Sequence, residues 1–349
     1  MTLLTETINN IGELDQTAMA KAQERLDSLT KPPGSLGKLE EIAVTLAGIT
    51  GTVYPEISKR EVVLFAGDHG VVAEGVSAFP QDVTAAMVLN FLHGGAAVNV
   101  FARQVGAKIN LVDIGMQATL DHPGLCRKKV RAGTNNFCQG PAMTHCEAVQ
   151  ALEVGISRAQ EAQARGVNLL ATGEMGIGNT TASSALAAVL GNMEVEEVVG
   201  RGTGIDDVIL QKKIAVIKTG LAINAPNPDD ALDCLAKVGG LEIAGLAGLI
   251  LGAAAVRIPV IIDGFISSAA ALVAYKLAPN AKNFMLASHA SAEPGHQHVL
   301  KVIGIRPLIF LDMRLGEGTG AVLMMSMVET AARMIKEMAT FAEAGIVSG

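Results

Sequence analysis

The strongest constraint on this chain is a series of short apolar runs, most of them closed by a glycine turn. Glu61-Val-Val-Leu-Phe-Ala-Gly67 leads into Asp68-His69-Gly70, and residues 108–115 form a second run. Asn168-Leu-Leu-Ala-Thr-Gly173 leads into Glu174-Met-Gly-Ile-Gly-Asn-Thr-Thr181. Residues 259–264, 283–288 and 307–312 complete the set. None alternates strictly between apolar and polar, so each predicts a strand buried on both faces. Helical patterns lie between them, which predicts an α/β fold with a mostly parallel sheet flanked by helices.

The two ends differ. Residues 5–28 read as one helix, Lys31-Pro-Pro-Gly-Ser-Leu-Gly37 interrupts, and residues 39–49 read as helix again. Residues 319–344 are helical as well. We therefore expect a small helical lobe built from residues 1–50 and 319–349, beside a large α/β domain over residues 51–318.

Half the residues are hydrophobic and 17% are charged, which suits a large core and some surface hidden in an oligomer. A net charge of −7, with no clustered Lys or Arg, argues against nucleic acid as a partner. The long apolar stretches 241–256 and 265–277 fall short of the roughly 20 apolar residues a membrane span needs. The N-terminus carries Glu6, Glu13 and Asp15 and lacks the pattern of a signal peptide. Cys126, Cys138, Cys146 and Cys234 show no Cys-x-x-Cys spacing, so a reduced, cytoplasmic chain is expected.

Several segments could carry chemistry. In open α/β sheets, ligands bind beyond the carboxyl ends of the strands, where glycine turns let backbone amides approach. Gly173–Thr181 occupies such a place: Gly176 and Gly178 free the backbone, and Asn179, Thr180 and Thr181 offer caps and hydroxyls. It can be a phosphate cradle or an ordinary strand-to-helix turn; it is neither a P-loop nor a dinucleotide fingerprint. Residues 198–204 supply a second glycine turn, containing Gly202, followed by Lys212 and Lys213. That lysine pair suits either a phosphate or a solvated helix face. Glu317, between Gly316 and Gly318, can project into a cleft as a general base or cap the C-terminal helix. Asp68-His69 and the group His289, His296 and His298 raise a metal reading. Their spacing lacks the helical i, i+4 pairing of a zinc site, and hydrogen bonding at loop ends is the expected role.

Taken in order, these segments resemble a known family. Lys31-Pro-Pro-Gly-Ser-Leu-Gly37, Asp68-His69-Gly70-Val71, Gly173–Thr181, Lys237-Val-Gly-Gly240, Asp263-Gly-Phe265, Ser288-His-Ala-Ser-Ala-Glu293 and Arg314-Leu-Gly-Glu-Gly318 resemble motifs of the nicotinate-nucleotide–dimethylbenzimidazole phosphoribosyltransferases. The resemblance implies a Rossmann-like large domain, a small helical lobe and a dimer with its active sites near the interface. It implies transfer of phosphoribose from nicotinate mononucleotide to a small aromatic base, with inversion to an α-ribotide that becomes the lower ligand of a cobamide. It further implies that Glu317 is the general base and that Glu174 lines the same site. Phosphate and ribose contacts are expected from Gly176, Gly178, Asn179, Thr180, Gly202, Lys213 and Ser291. The reaction calls for no metal or redox cofactor, because nicotinate leaves as a neutral molecule.

The expected acceptor pocket contains Phe79, Met87, Met175 and Leu315. Phe79 and Met87 stand where the family usually has small or polar residues, and Met175 stands where leucine is commoner. Apolar changes there favour a small aromatic surface and resemble the branch that activates phenol and p-cresol. A phenolic acceptor, and either a homodimer or a heterodimer with a paralogous chain, are the resulting expectations; dimethylbenzimidazole or another benzimidazole is the alternative. Two rivals of other classes are a non-catalytic subunit, against which the retained Glu317 counts, and a nucleotide-dependent oxidoreductase, which would need the missing dinucleotide fingerprint.

Overall fold

A computed structural model describes residues 2–346 except Thr203. Met1 and residues 347–349 of the expected helical lobe lie outside the described residues. In chain order the chain runs α1 (Leu3–Asn9), α2 (Gln16–Ser28), α3 (Lys38–Thr50), β1 (Arg60–Gly67), α4 (Val83–Leu92) and α5 (Ala97–Val105). Next come β2 (Lys108–Gly115), β3 (Leu125–Arg127), α6 (His145–Ala164), β4 (Leu169–Met175), α7 (Asn179–Gly191) and α8 (Val195–Val198). α9 (Asp207–Asn224), α10 (Ala231–Val238), α11 (Leu241–Ala255), β5 (Val260–Ile262) and α12 (Phe265–Leu277) follow. β6 (Met285–Ala287), α13 (Pro294–Ile303) and α14 (Thr319–Glu337) end it.

The sheet is six-stranded in the order β3-β2-β1-β4-β5-β6, with every pair parallel. Burial on both sides explains the absence of alternation in the sequence. Val63 and Phe65 of β1 enter one apolar cluster, and Val62, Leu64 and Ala66 enter the other. Both faces are dry, so both sets of side chains must be apolar. From β1 the chain winds outward through β2 and β3, then returns to place β4 on the other side of β1. The connections therefore diverge between β1 and β4, which opens a crevice at their carboxyl ends.

On one face α6 and α11 cross with backbones almost touching. A Cβ on Gly155 would lie 2.0 Å from the Gly245 carbonyl oxygen, and one on Gly248 would lie 1.9 Å from that of Leu152. α6 starts at a capping box, in which Thr144 Oγ1 accepts from Glu147 N (3.2 Å) and Glu147 Oε2 accepts from Thr144 N (2.8 Å). α11 and α12, the long apolar stretches of the sequence, are buried in this layer. The stretch Val83–Val105 is long and apolar enough to cross a membrane, but it divides at His93–Ala96 into α4 and α5.

Three expectations need correction. Residues 5–28 are not one helix: α1 ends at Asn9, Gly12 lies in the break, and Asp15 Oδ1 caps α2 by accepting from Ala18 N (2.9 Å). α1 packs on α6 and α11. Residues 307–312 do not form a strand. Only Ile309 bridges to His289; Asp312 turns left-handed at φ 52°, and Phe310 and Leu311 face solvent. At the opposite edge the sheet gains a strand that no apolar run predicts: β3, with only three residues, pairs with β2. The helices of the two termini do meet. α14 packs on α2 and α3, Arg25 donates to the Met338 carbonyl (2.8 Å), and Leu29 bridges Thr340. Their apolar side chains merge with the second face of the sheet, because Leu26, Leu46 and Val328 share a cluster with Val62 and Leu64.

The glycine crossing gives a first prediction. Gly248→Val places a branched side chain against backbone that no rotamer change can move, and should cost at least about 1–3 kcal/mol. Urea denaturation should show a lower midpoint; an unchanged midpoint would mean that the helices can separate freely.

Candidate active site

The crevice beyond β1 and β4 widens into a cavity of about 490 Å³. Glu174, near the end of β4, and Glu317, just before α14, both line it. Gly176, Asn179, Thr180, Gly202 and Ser291 contribute its polar lining. Phe79, Met87, Met175 and Leu315 are also on its wall. Gly178 and Lys213 do not line it. Gly178 is the left-handed N-cap of α7 (φ 95°), packed over His69 and Val72. Lys213 is buried behind Thr180, with Nζ donating to Thr180 Oγ1 (2.8 Å) and the Gly200 carbonyl (3.3 Å). The lysine pair of the sequence thus divides: Lys212 is exposed and Lys213 faces the core. Burial lowers the Lys213 ammonium to about 8, partly opposed by the nearby Glu293 carboxylate.

The loop carrying Glu317 is backbone-strained. Gly316 (φ 84°), Glu317 (φ 64°) and Gly318 (φ 86°) are three left-handed residues in succession. A non-glycine residue held there costs about 1–3 kcal/mol. The glycines are needed for close approach as well: a Cβ on Gly316 would meet Glu174 Oε1 at 2.4 Å, and one on Gly318 the Thr172 carbonyl at 2.9 Å. Glu317 N donates to Glu174 Oε1 (3.3 Å), which brings the two acids side by side. Glu317 is not the cap of α14. That role falls to Asp263, whose Oδ2 and Oδ1 accept from Gly318 N (3.1 Å) and Ala321 N (2.9 Å). Glu317 Oε2 is left buried with no hydrogen-bond partner.

Burial, with the charge of Asp263 close by, raises Glu317 to about 7. Glu174 rises to about 8 through burial and the neighbouring Asp263, Glu242 and Glu317 carboxylates, against the Glu317 amide bond. Asn179 Nδ2 donates to Glu174 Oε2 and holds that side chain in place. The pair therefore keeps a proton near neutral pH. Asp263, Glu293 and Arg314 stand in the family motifs, yet their roles are not readable from the sequence. Glu293 Oε1 accepts from Gly202 N (3.1 Å) and Arg314 donates to the Gly202 carbonyl (3.2 Å), which shapes the second glycine turn. A usable signal was present in the sequence: an acid recurs at the carboxyl ends of the runs, as Asp68, Asp113, Glu174 and Asp263.

Three of the four histidines of the two groups, His69, His289 and His296, are hydrogen-bonded, and His298 lies exposed on α13. His69 Nε2 meets Glu242 Oε1 at 2.6 Å; burial opposes its charge, but Glu242 raises its pKa overall. His296 Nδ1 accepts from Ser291 N (2.9 Å) and its Nε2 meets Ser268 Oγ (3.0 Å). His289 Nδ1 lies 3.1 Å from Ser288 Oγ.

Glu174 and Glu317 make stability fall as pH rises. Their folded values lie above 4.5, so between about 4.5 and 8 the folded chain holds protons that the unfolded chain releases. Glu317→Gln removes one such acid. Its melting temperature should exceed that of the parent by more at pH 8 than at pH 5; calorimetry showing an equal difference at both would contradict these values.

The phosphoribosyltransferase family pattern matches residues 11–346. A nicotinate-nucleotide–dimethylbenzimidazole phosphoribosyltransferase of Chloroflexus aggregans is 59% identical over 347 residues, 99% of this chain and 98% of that one. One of Desulforamulus reducens is 57% identical over the whole of both chains. The crystal structure of the enzyme of that name from Thermus thermophilus superimposes with a TM-score of 0.91 at 48% identity, covering 96% of this chain and 100% of the other. The chain is an enzyme, and it belongs to the nicotinate-nucleotide–dimethylbenzimidazole phosphoribosyltransferase family.

Proposed function

We propose that the chain transfers the 5-phosphoribosyl group of nicotinate mononucleotide to a benzimidazole base, giving an α-ribotide for cobamide assembly. The unpartnered, buried Oε2 of Glu317 carries this reading. A base raised towards neutrality with a free oxygen, on a residue that lines a cavity, suits removal of one proton from an incoming ring.

The expected phenolic acceptor is withdrawn as the main reading, because the relatives named above carry dimethylbenzimidazole in their names. The apolar wall is equally compatible with a benzimidazole. One ring nitrogen attacks and the other surrenders its proton to Glu317, so the remaining ring edge is carbon and needs no polar partner. Phe79, Met87, Met175 and Leu315 are assigned to that edge, with Val83 joining them.

In the reaction, the bond between ribose C1′ and the pyridinium nitrogen breaks, and its electron pair returns to the ring. Nicotinate leaves without needing a proton. The acceptor nitrogen bonds to C1′ from the opposite face, which inverts β to α. The negative charge left on the Glu174–Glu317 pair near neutral pH stabilises positive charge developing on the sugar. Gly176, Asn179, Thr180, Gly202 and Ser291 hold phosphate and ribose, and Lys213 acts on the phosphate through Thr180 Oγ1. The working unit is a dimer: Leu315 lines the cavity while remaining 57% exposed, and Phe310 and Leu311 expose apolar surface nearby in sequence.

Mass spectrometry of the nucleotide formed from nicotinate mononucleotide and an equimolar mixture of dimethylbenzimidazole, phenol and p-cresol tests the acceptor. A benzimidazole ribotide is expected; an exclusively phenolic product would reinstate the earlier expectation. Glu317→Gln should lower kcat by about 10²–10⁴-fold. With Glu317 as base, kcat/KM should fall as pH drops below about 7. Asp263→Asn should shift that acid limb to lower pH, since it removes a charge that raises Glu317; an unmoved limb would exclude Glu317 as the titrating group.

A further inference from the structure

The segment bearing Phe79, Val83 and Met87 presents these residues four apart, on one side, to the cavity. Between them stands Gln81, which is not on the cavity wall. Its Nε2 donates to Asp68 Oδ1 at the end of β1. Asp68 is buried, and its Oδ2 accepts from Gln117 N at 2.7 Å. Its backbone is committed too, with its N donating to the Gly115 carbonyl (3.0 Å) and its carbonyl accepting from Thr134 N (2.9 Å). Asp68 is thus a fixed post joined to three loops, and Gln81 ties the apolar wall to it. A second tie lies one helical turn along: buried Thr84 Oγ1 accepts from Ile177 N (3.1 Å), in the glycine loop that follows Glu174.

We propose that the Gln81–Asp68 hydrogen bond sets how far the apolar wall stands from Glu317, so that Gln81 is a positioning residue governing which acceptor ring fits. This inference rests on the phosphoribosyl transfer proposed above. The bond is charge-assisted and partly shielded from water, the class whose loss is felt most. Without it, residues 79–83 keep local bonds, Phe79 N to Ser77 Oγ (3.1 Å), Val83 N to the Pro80 carbonyl (3.2 Å), Thr84 N to the Gln81 carbonyl (3.0 Å) and Ala86 N to the Asp82 carbonyl (3.2 Å). Those bonds maintain the shape of the turn, and the Thr84 tie holds the start of α4, so among these polar ties the Gln81 bond is the one that joins the turn before α4 to the end of β1.

Three variants test the proposal. Gln81→Ala should raise the KM for acceptor by about 10-fold or more while the KM for nicotinate mononucleotide changes less than about 2-fold. Gln81→Glu sets two carboxylates against each other and should do at least as much damage. Adding Asp68→Asn to Gln81→Glu restores a donor–acceptor pair with its polarity reversed, because the new amide donates to Glu while its oxygen still accepts from Gln117 N. This double variant should recover most of the acceptor KM. Equal changes in both KM values, or no recovery, would overturn the proposal. Hydrogen exchange over residues 77–87 gives a readout that needs no turnover: faster exchange in Gln81→Ala is expected, and unchanged exchange would also overturn it. Failure of the underlying reaction would show separately, as no ribotide from the parent enzyme.

Discussion

Asp263 is the interaction on which the site depends. Placed by β5 at the edge of the crevice, its carboxylate accepts from the amides of Gly318 and Ala321 and so starts the C-terminal helix. Burial raises both Glu317 and Glu174, and the same charge adds to it. One group thereby fixes the backbone that carries Glu317, the proposed base, and tunes its affinity for a proton. A helix cap made by Glu317 itself would have stabilised the fold equally well, but its oxygens would then be occupied.

That arrangement has an energetic cost concentrated at one place. Three left-handed residues in a row, two acids raised by burial and an unpartnered carboxylate oxygen all lie in the Glu174–Glu317 corner. Together they are unfavourable for folding, and under the proposed function they keep a neutral-range base free and aimed. The surrounding structure is correspondingly stiff. Both faces of the sheet are sealed by helices, and α6 and α11 touch through their backbones.

Much of the fold was legible because strands buried on both faces write themselves as continuous apolar runs. β1, β2 and β4 lie where such runs occur, and β5 and β6 are shorter cores of theirs. The run at 307–312 misled because apolarity alone does not create pairing: after one bridge its chain turns outward, and Phe310 and Leu311 are exposed. β3 was invisible because three residues at a sheet edge carry no periodicity. In the site, glycine-flanked Glu317 and the Gly176–Thr180 loop could be read locally. Asp263, Glu293 and Arg314 act on partners dozens of residues away or more, and no local pattern announces that. The apolar residues Phe79 and Met87 suggested an acceptor too specifically, since a carbon-rich wall accommodates several aromatic rings alike.

The direction of the strands has a further consequence. Because all six point the same way, the segments that line the cavity hang from one rim of the molecule, while the glycine-mediated crossing of α6 and α11 is embedded in one flank. Residues 79 and 83 stand on that rim, apart from the glycine crossing, and Met87 joins the wall to the second apolar cluster. Under the proposed function, a change of acceptor base would then call for altering a few side chains on a single strip, with the buried helix crossing left as it is.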